Sequence, residues 1–362
     1  MQQIIFTVTN DLNYDQRMIR ICTSLANAGY KVTLIGRKKK NSDDLLPRAF
    51  EQKRLHFFFS TGPGFYLEYN IRLFFYLLFK KFDCVCAIDL DTIVAVYLAA
   101  SIRKKKRVYD AHEYFSQLKE VVSRKTVYYV WHKIEQTLVP KFKYGYTVSK
   151  SIADEFEALY GVYYETIRNM PLYAEGPIQK AVERNIIYQG AVNEARGFEF
   201  LIPAMKEVQA NLIIYGDGNF MDHAKEMVCK HGLTNKIIFK GQLLPEELNK
   251  VTGQGYVGIN LVENTGLNQY FSLANKFFDY IQHGVPQVTM DFPEYKVLND
   301  QYNVALLINN LQPSTICTAL NKILSSDVLH GQLKANCAIA ARHLTWQNEE
   351  KKLIAFYKDI LG

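Results

Sequence analysis

Lys276 and Asp279 stand three positions apart in the run Ser272-Leu273-Ala274-Asn275-Lys276-Phe277-Phe278-Asp279-Tyr280. On a helix, that spacing puts an ammonium and a carboxylate on one face. Near a helix start, unpaired backbone N–H groups point the same way. Such a face can hold a polar, phosphorylated ligand without a metal. Lys276 would neutralise a diphosphate and Asp279 would accept from a ribose or sugar hydroxyl. Just before it, the loop Glu263 to Tyr270, with Asn264, Thr265, Gly266 and Leu267, is rich in groups that hydrogen-bond hydroxyls, and Asn275 adjoins Lys276 in the run itself. A plain surface ion pair is the competing account of the two charges.

Two glycine-bearing turns precede this helix in the same half of the chain. Gly190-Ala191-Val192-Asn193-Glu194-Ala195-Arg196-Gly197 lies where a strand gives way to a helix. Glycine permits a close backbone turn, the helix start offers N–H donors, and Arg196 adds a bidentate clamp for an anion. The spacing differs from the usual dinucleotide fingerprint, and a structural turn with a surface arginine would look the same. Gly216-Asp217-Gly218 ends the next strand and could bring backbone close to a base or phosphate.

In the first half, Asp110-Ala111-His112-Glu113 follows a strand end, the usual crevice edge of an open α/β sheet. His112 could donate to a substrate hydroxyl or phosphate, with Glu113 orienting it; a structural histidine is the alternative. Asp11, Asp15 and Arg17 flank the first strand-to-helix turn. Either aspartate could receive an acceptor hydroxyl, and Asp15 could equally cap the helix. Asp89 and Asp91 could together hold a divalent ion, but no third ligand is evident nearby and Asp91 suits an N-cap for residues 92–101. No metal site is expected.

These residues need a framework, and the hydrophobic pattern supplies one. Apolar runs at 4–8, 31–36, 84–88, 107–109 and 144–148 alternate with helical segments at 16–28, 91–102 and 151–159, as in parallel βαβ units. The pattern breaks at 169–184, where Asn169-Met170-Pro171 and Gly176-Pro177 fall. It restarts with strands at 185–190, 211–216, 236–241 and 256–260 and helices near 197–208, at 219–231 and from Pro245. The fold class is therefore α/β, with two Rossmann-like, doubly wound parallel-sheet domains: residues 1–170, a linker at 171–184, residues 185–342, and a closing helical segment at 343–362. A cleft between the halves is the default ligand site.

Composition narrows the class. The chain has 362 residues, 48% of them hydrophobic and 22% charged, which suits two globular domains. Six cysteines show neither metal-ligand nor disulfide spacing, as in a reducing cytoplasm. Neither a signal peptide nor a bilayer-spanning run is apparent. Residues 1–170 carry 26 Lys/Arg against 17 Asp/Glu, concentrated in Arg37-Lys38-Lys39-Lys40 and Arg103-Lys104-Lys105-Lys106-Arg107. Between these runs lies the aromatic-rich stretch Phe65 to Phe82. Cationic patches beside apolar rings suit an anionic membrane surface; a buried helix flanked by solvated charges is the alternative. No nucleic-acid module is recognisable.

Taken together, the chain resembles the retaining GT-B glycosyltransferases of family 4, of the bacterial surface-polysaccharide type. The likeness runs through Asn10 to Arg17, Asp110 to Glu113, Tyr146-Thr147-Val148-Ser149, Gly190 to Gly197, Gly216-Asp217-Gly218, Ser272 to Pro286 and the closing segment Trp346 to Tyr357. The resemblance implies a nucleotide-diphosphate sugar, UDP- or GDP-linked, held mainly by the second domain, with no further cofactor. It also implies a glycan or polyprenyl-linked acceptor held mainly by the first domain, and a closing helix that crosses back to that domain. His112, Arg196 and Lys276 become the catalytic candidates. Gly190, Gly197, Gly216, Asp217, Gly218, the loop 264–267, Asn275 and Asp279 fall to donor binding, and Asp11, Asp15, Arg17 and Glu113 to the acceptor side. The site implied is cytoplasmic and peripheral at the inner membrane face.

Three positions depart from the family pattern. Phe271 stands where a donor-contacting glutamate is usual, with Asp279 filling the second, ribose-binding place of that motif. Ala191 replaces an arginine after the first glycine of the phosphate loop, and Arg196 falls where a lysine is usual. A nucleotide-sugar epimerase, or a nucleotide-sugar-binding scaffold without catalysis, are the competing functions.

Overall fold

A computed structural model of the chain describes residues 1–40, 42–173 and 183–362. Gly176 and Pro177, part of the expected linker, lie outside the described residues. The chain divides into two compact units, one formed by Met1–Asn169 with Gln347–Gly362 and the other by Met170–Trp346.

The first unit is built on a parallel sheet of β1 (Gln3–Thr7), β2 (Lys31–Arg37), β3 (Glu51–Leu55), β4 (Cys84–Ile88), β5 (Lys106–Ala111), β6 (Tyr144–Thr147) and β7 (Glu165–Thr166). Its strand order is β3-β2-β1-β4-β5-β6-β7. The second unit holds β8 (Ile186–Gln189), β9 (Leu212–Tyr215), β10 (Ile237–Gly241), β11 (Val257–Asn260), β12 (Gln287–Met290) and β13 (Ala305–Ile308). They run parallel in the order β10-β9-β8-β11-β12-β13. Central strands such as Cys84–Ile88 and Val257–Asn260 are buried along their whole length. That follows from helices covering both faces of a parallel sheet, and explains why these strands read as continuous apolar runs.

Both sheets reverse direction of winding beside their first strand: between β1 and β4 in one unit, and between β8 and β11 in the other. At such a switch point the flanking loops part and leave a crevice beyond the carboxyl ends of the strands. Thr9 and Asp89 follow one pair of strand ends; Gly190 and the loop after Leu261 follow the other.

Helix α1 (Gln16–Asn27) is capped by Asp15, whose carboxylate accepts from the Met18 N–H at 3.1 Å. Helix α2 (Gly62–Phe79) has two apolar stripes. Phe65, Tyr69, Leu73 and Leu77 are buried, while Leu67, Ile71, Phe75 and Phe79 face solvent. The buried-helix reading of this segment therefore describes one face of it, and the other face is exposed. Helix α3 (Asp89–Ile102) begins at Asp89, so Asp91 lies inside the first turn and is not its N-cap. The helix expected near 197–208 is only Phe198–Ala204, with Gly197 in the left-handed region at its head and Pro203 near its end. Strands β3, β7, β12 and β13 were not expected from the sequence. All six cysteines are free and five are buried; Cys229 is exposed.

The closing helix Trp346–Leu361 belongs to the first unit from Gln347 onward. Tyr357 packs edge-on against Phe6 of β1 at 5.8 Å, and the Glu349 carboxylate accepts from the Arg168 N–H at 2.8 Å.

Candidate active site

In the second unit the two glycine turns interlock. The Gly190 N–H donates to the Tyr215 carbonyl at 2.9 Å, and the Val192 N–H to the Asp217 carbonyl at 3.0 Å. Asn193 accepts from the Asn219 N–H at 3.1 Å. The approach leaves no room for side chains. A Cβ on Gly216 would lie 1.8 Å from the Gly190 carbonyl oxygen, and one on Gly218 would lie 2.2 Å from Asn193 Oδ1. The glycines are thus required by contact between two loops. Asp217 spends its own carboxylate on the adjacent Gly218 N–H at 2.8 Å, holding the second turn closed.

Lys276 leans over this double turn from the first turn of the helix Asn275–Gln282. Its Nζ stands 3.6 Å from the centre of the Tyr188 ring, and a Cβ placed on Gly190 would be 3.5 Å from the same nitrogen. Tyr188 is in turn anchored by donating to the Ala191 carbonyl at 2.6 Å. Burial, reinforced by repulsion from Arg196 and only partly offset by Asp279, pushes the Lys276 ammonium well below the ordinary lysine range. Neither Lys276 nor Arg196 forms an ion pair among the described residues. Two cations close enough to repel, neither held in an ion pair and only one of them partly offset by Asp279, are the electrostatic signature of a site for an external anion.

Asp279 is oriented from behind. Gln189, at the end of β8, donates to its carboxylate at 3.0 Å and accepts from the Thr252 hydroxyl at 2.8 Å. The loop after β11 joins the same assembly, since the Glu263 N–H donates to the Ala195 carbonyl at 3.1 Å. Within that loop, Thr265 Oγ1 and Gln269 Oε1 are sealed from solvent and have no hydrogen-bond partner among the described residues. Asn264 and Leu267 are exposed, Gly266 links them, and Asn275 is exposed at the helix start. No side chain caps that helix. Phe271 ends the preceding short turn, Leu267–Tyr270, and brings no carboxylate.

In the first unit the candidate charges are paired. Asp110, fully buried at the end of β5, takes Arg17 at 3.0 Å on one carboxylate oxygen and His112 Nε2 at 2.9 Å on the other. Arg17 is itself buried and also donates to the Ile167 carbonyl at 2.9 Å. Burial works against a charged His112, but the Asp110 carboxylate outweighs it and raises the imidazole above its ordinary value. The loop that carries His112 and Glu113 is fixed by Asp89, which accepts from both backbone N–H groups at 2.9 and 3.3 Å. Asp89 does so from a left-handed backbone, φ 53°. Burial raises its carboxyl well above the usual range, and raises that of Asp91 to about 6. Asp11 is buried and holds Arg54 and Ser42, while Asp15 caps α1. Glu113 is exposed. Among the described residues there is no cluster of three metal-ligating side chains.

Two family models match. The one described as Glycosyltransferase Family 4 spans residues 16–171, and the one described as Glycosyl transferases group 1 spans residues 183–326. The chain belongs to the family 4 glycosyltransferases. Solved structures of similar glycosyltransferases share its fold. Sucrose-phosphate synthase from Thermosynechococcus elongatus aligns at a TM-score of 0.81 and 14% identity, covering 99% of each chain. HepE from Anabaena, solved with UDP and glucose, aligns at 0.78 and 12% identity, covering 99% of this chain and 100% of its own. WaaG, a glycosyltransferase involved in lipopolysaccharide biosynthesis, aligns at 0.73 and 14%, covering 97% and 98%. This glycosyltransferase therefore has the GT-B fold, two parallel-sheet α/β domains. A search of curated proteins returns no match.

Sequence reading missed Tyr188, Gln189 and Thr252, while Gln269 lies in the hydroxyl-binding loop it singled out. Gln189 and Tyr188 carried a local signal, since both immediately precede the Gly190 turn; Thr252 meets them only through the fold.

Proposed function

We propose that this glycosyltransferase moves a sugar from a nucleotide-diphosphate sugar to a hydroxyl of a glycan or polyprenyl-linked acceptor, with retention, in cell-surface polysaccharide biosynthesis. The carrying observation is the pair Arg196 and Lys276, two unneutralised cations set over interlocked glycine turns. A diphosphate would relieve their repulsion and the depressed charge of Lys276 together. HepE, of the same fold, was solved with UDP, which favours a UDP-linked donor over a GDP-linked one. Asp279, aimed by Gln189, suits a ribose hydroxyl. Thr265 and Gln269 suit sugar hydroxyls, supplying what Phe271 cannot.

In this reading the bond from C1 of the sugar to the diphosphate oxygen breaks and its electron pair leaves with the nucleotide diphosphate. Arg196 and Lys276 stabilise the charge that grows there, the kind of preorganised electrostatics that dominates many enzyme sites. The acceptor oxygen bonds to C1 on the same face, and its proton passes to the leaving phosphate oxygen. His112, oriented by Asp110 and raised by it above the ordinary imidazole value, donates a hydrogen bond to a sugar or acceptor hydroxyl. The protein would act in the cytoplasm, peripheral to the inner membrane face; among the described residues no helix is long and apolar enough to cross a membrane.

A calorimetric panel of UDP, GDP and their hexose conjugates, followed by transfer assays with lipid-linked acceptors, tests the proposal. One base series should bind and release nucleotide on transfer. Binding of neither series would refute the donor assignment. Binding without release, with every lipid-linked and glycan acceptor tried, would favour the scaffold reading that Phe271 keeps in play.

A further inference from the structure

The first unit contains a cavity that none of the proposed catalytic or acceptor-side residues lines. Its volume is about 640 Å³, and it lies between the end of β2, the loop after β3 and the first turn of α2. One wall is cationic, with Arg37, Lys38, Lys39 and Lys40; the facing wall carries Phe58 and Phe59. Among the described residues no acidic side chain lines it.

The cationic wall is unneutralised. Lys38, Lys39 and Lys40 are exposed and form no ion pair among the described residues. Arg37 is fixed where it stands, its Nη1 donating to the Ser60 carbonyl at 3.1 Å and its guanidinium lying 4.6 Å from the centre of the Phe65 ring. Its Nε is nonetheless sealed from solvent and has no partner among the described residues. An anion drawn by this wall would meet one anchored and three exposed cations.

The aromatic wall is held in place as well as exposed. Phe58 is 88% and Phe59 58% accessible, yet their backbone N–H groups both donate to the Glu68 carboxylate at 2.9 Å. Arg72 holds that carboxylate at 2.7 Å and cancels its charge. Two large rings are thus displayed on a pinned loop. A further exposed apolar stripe, Leu67, Ile71, Phe75 and Phe79, runs along α2. Exposed apolar surface of this kind marks a binding face.

We infer that this cavity binds a lipid phosphate, with the phosphate or diphosphate at Arg37–Lys40 and the first units of its apolar chain across Phe58 and Phe59. Free phosphate would leave the rings unused and a neutral lipid would leave the cations unused. A phosphorylated isoprenoid satisfies both walls. Naming it the acceptor's carrier rests on the sugar-transfer reading; the site itself does not.

Calorimetry of the full chain with farnesyl diphosphate, inorganic pyrophosphate and farnesol, all as monomers in solution, tests the inference. Farnesyl diphosphate should bind at least about tenfold more tightly than either fragment, a difference easily resolved in a dissociation constant. Lys38→Glu with Lys39→Glu should weaken it about tenfold or more. Phe58→Ser with Phe59→Ser should reduce it to the pyrophosphate level. All four positions are exposed, so melting temperature and UDP binding should stay unchanged in both double variants. Equal binding of farnesyl diphosphate and pyrophosphate, or indifference to both double variants, would overturn the inference. Loss of farnesyl diphosphate binding in a protein that still binds UDP defeats this site alone; a protein that takes farnesyl diphosphate but no nucleotide defeats the donor reading instead.

Discussion

The two units treat buried charge in opposite ways. In the first, each charge of the buried network is paired: Asp110 takes Arg17 and His112 on its two oxygens, and Arg17 donates again to the Ile167 carbonyl, with only its Nε lacking a hydrogen bond among the described residues. In the second, Arg196 and Lys276 repel each other over the glycine turns, and neither has a carboxylate in contact. A completed network fixes geometry whether or not substrate is present. An incomplete one stores unfavourable electrostatics that only a ligand relieves. The contrast separates positioning residues from binding residues: Arg17, expected on the acceptor side, is a buried brace for the His112 loop, whereas Arg196 is open to an anion.

The largest expected effect breaks the completed network. Asp110→Asn leaves Arg17 buried beside a neutral partner and should destabilise the first unit by about 3–5 kcal/mol, the usual result of removing one member of a buried pair. Arg196→Ala should cost almost nothing in the same urea titration, because its charge has no partner to lose. Equal destabilisation by the two changes would erase the distinction drawn here.

The order reverses in turnover. Arg196→Ala should lower kcat by about 10²–10³ at saturating donor, corresponding to roughly 2.7–4 kcal/mol of lost transition-state stabilisation. Unchanged turnover would remove Arg196 from the catalytic set.

Lys276→Met sharpens the comparison further, because stability and binding should move in opposite directions. The folded value of Lys276 lies below its unfolded value, so the unfolded chain holds more protons between the two and stability rises with pH through that window. Below it the penalty of charging Lys276 is fully present. Removing the ammonium should therefore raise the melting temperature of the free protein by about 2–4 °C for each kcal/mol relieved, while UDP binding weakens. A lower melting temperature would show that the lysine is stabilising in place.

The smallest effect concerns His112. Its folded value is raised, so its contribution to stability is present below the unfolded value and fades as pH rises through the folded one. In an NMR titration, Asp110→Asn should shift the His112 midpoint downward, since the attraction that outweighed burial is gone. An unmoved midpoint would mean that another group holds the charge.

Much of this arrangement was legible in the chain because its signals are local. Glycines at 190, 197, 216 and 218, the Lys276–Asp279 spacing and the strand-helix alternation each lie within one short window. What escaped was carried by contacts between distant segments. Nothing near Asp11 announces that Arg54, on the unrecognised strand β3, would neutralise it. Nothing near Arg17 points to Asp110, and the line from Thr252 through Gln189 to Asp279 exists only after three elements have packed. Asp91 was misplaced for a related reason: Asp89 adopts a left-handed backbone that starts the helix earlier than a capping rule suggests.

The central claim is that Arg196 and Lys276 await a diphosphate, and proton uptake on binding tests it most directly. Calorimetry of UDP binding should be run in buffers of different ionisation enthalpy, with uridine as the uncharged control, across neutral to alkaline pH. A diphosphate beside Lys276 raises its depressed value, so UDP should bind with proton uptake and lose affinity as pH climbs past the free-state value. Uridine should bind far more weakly and without uptake, and Lys276→Met should abolish the UDP uptake. Equal affinity for UDP and uridine, or UDP binding with no proton exchange in the wild type at any pH, would contradict the account.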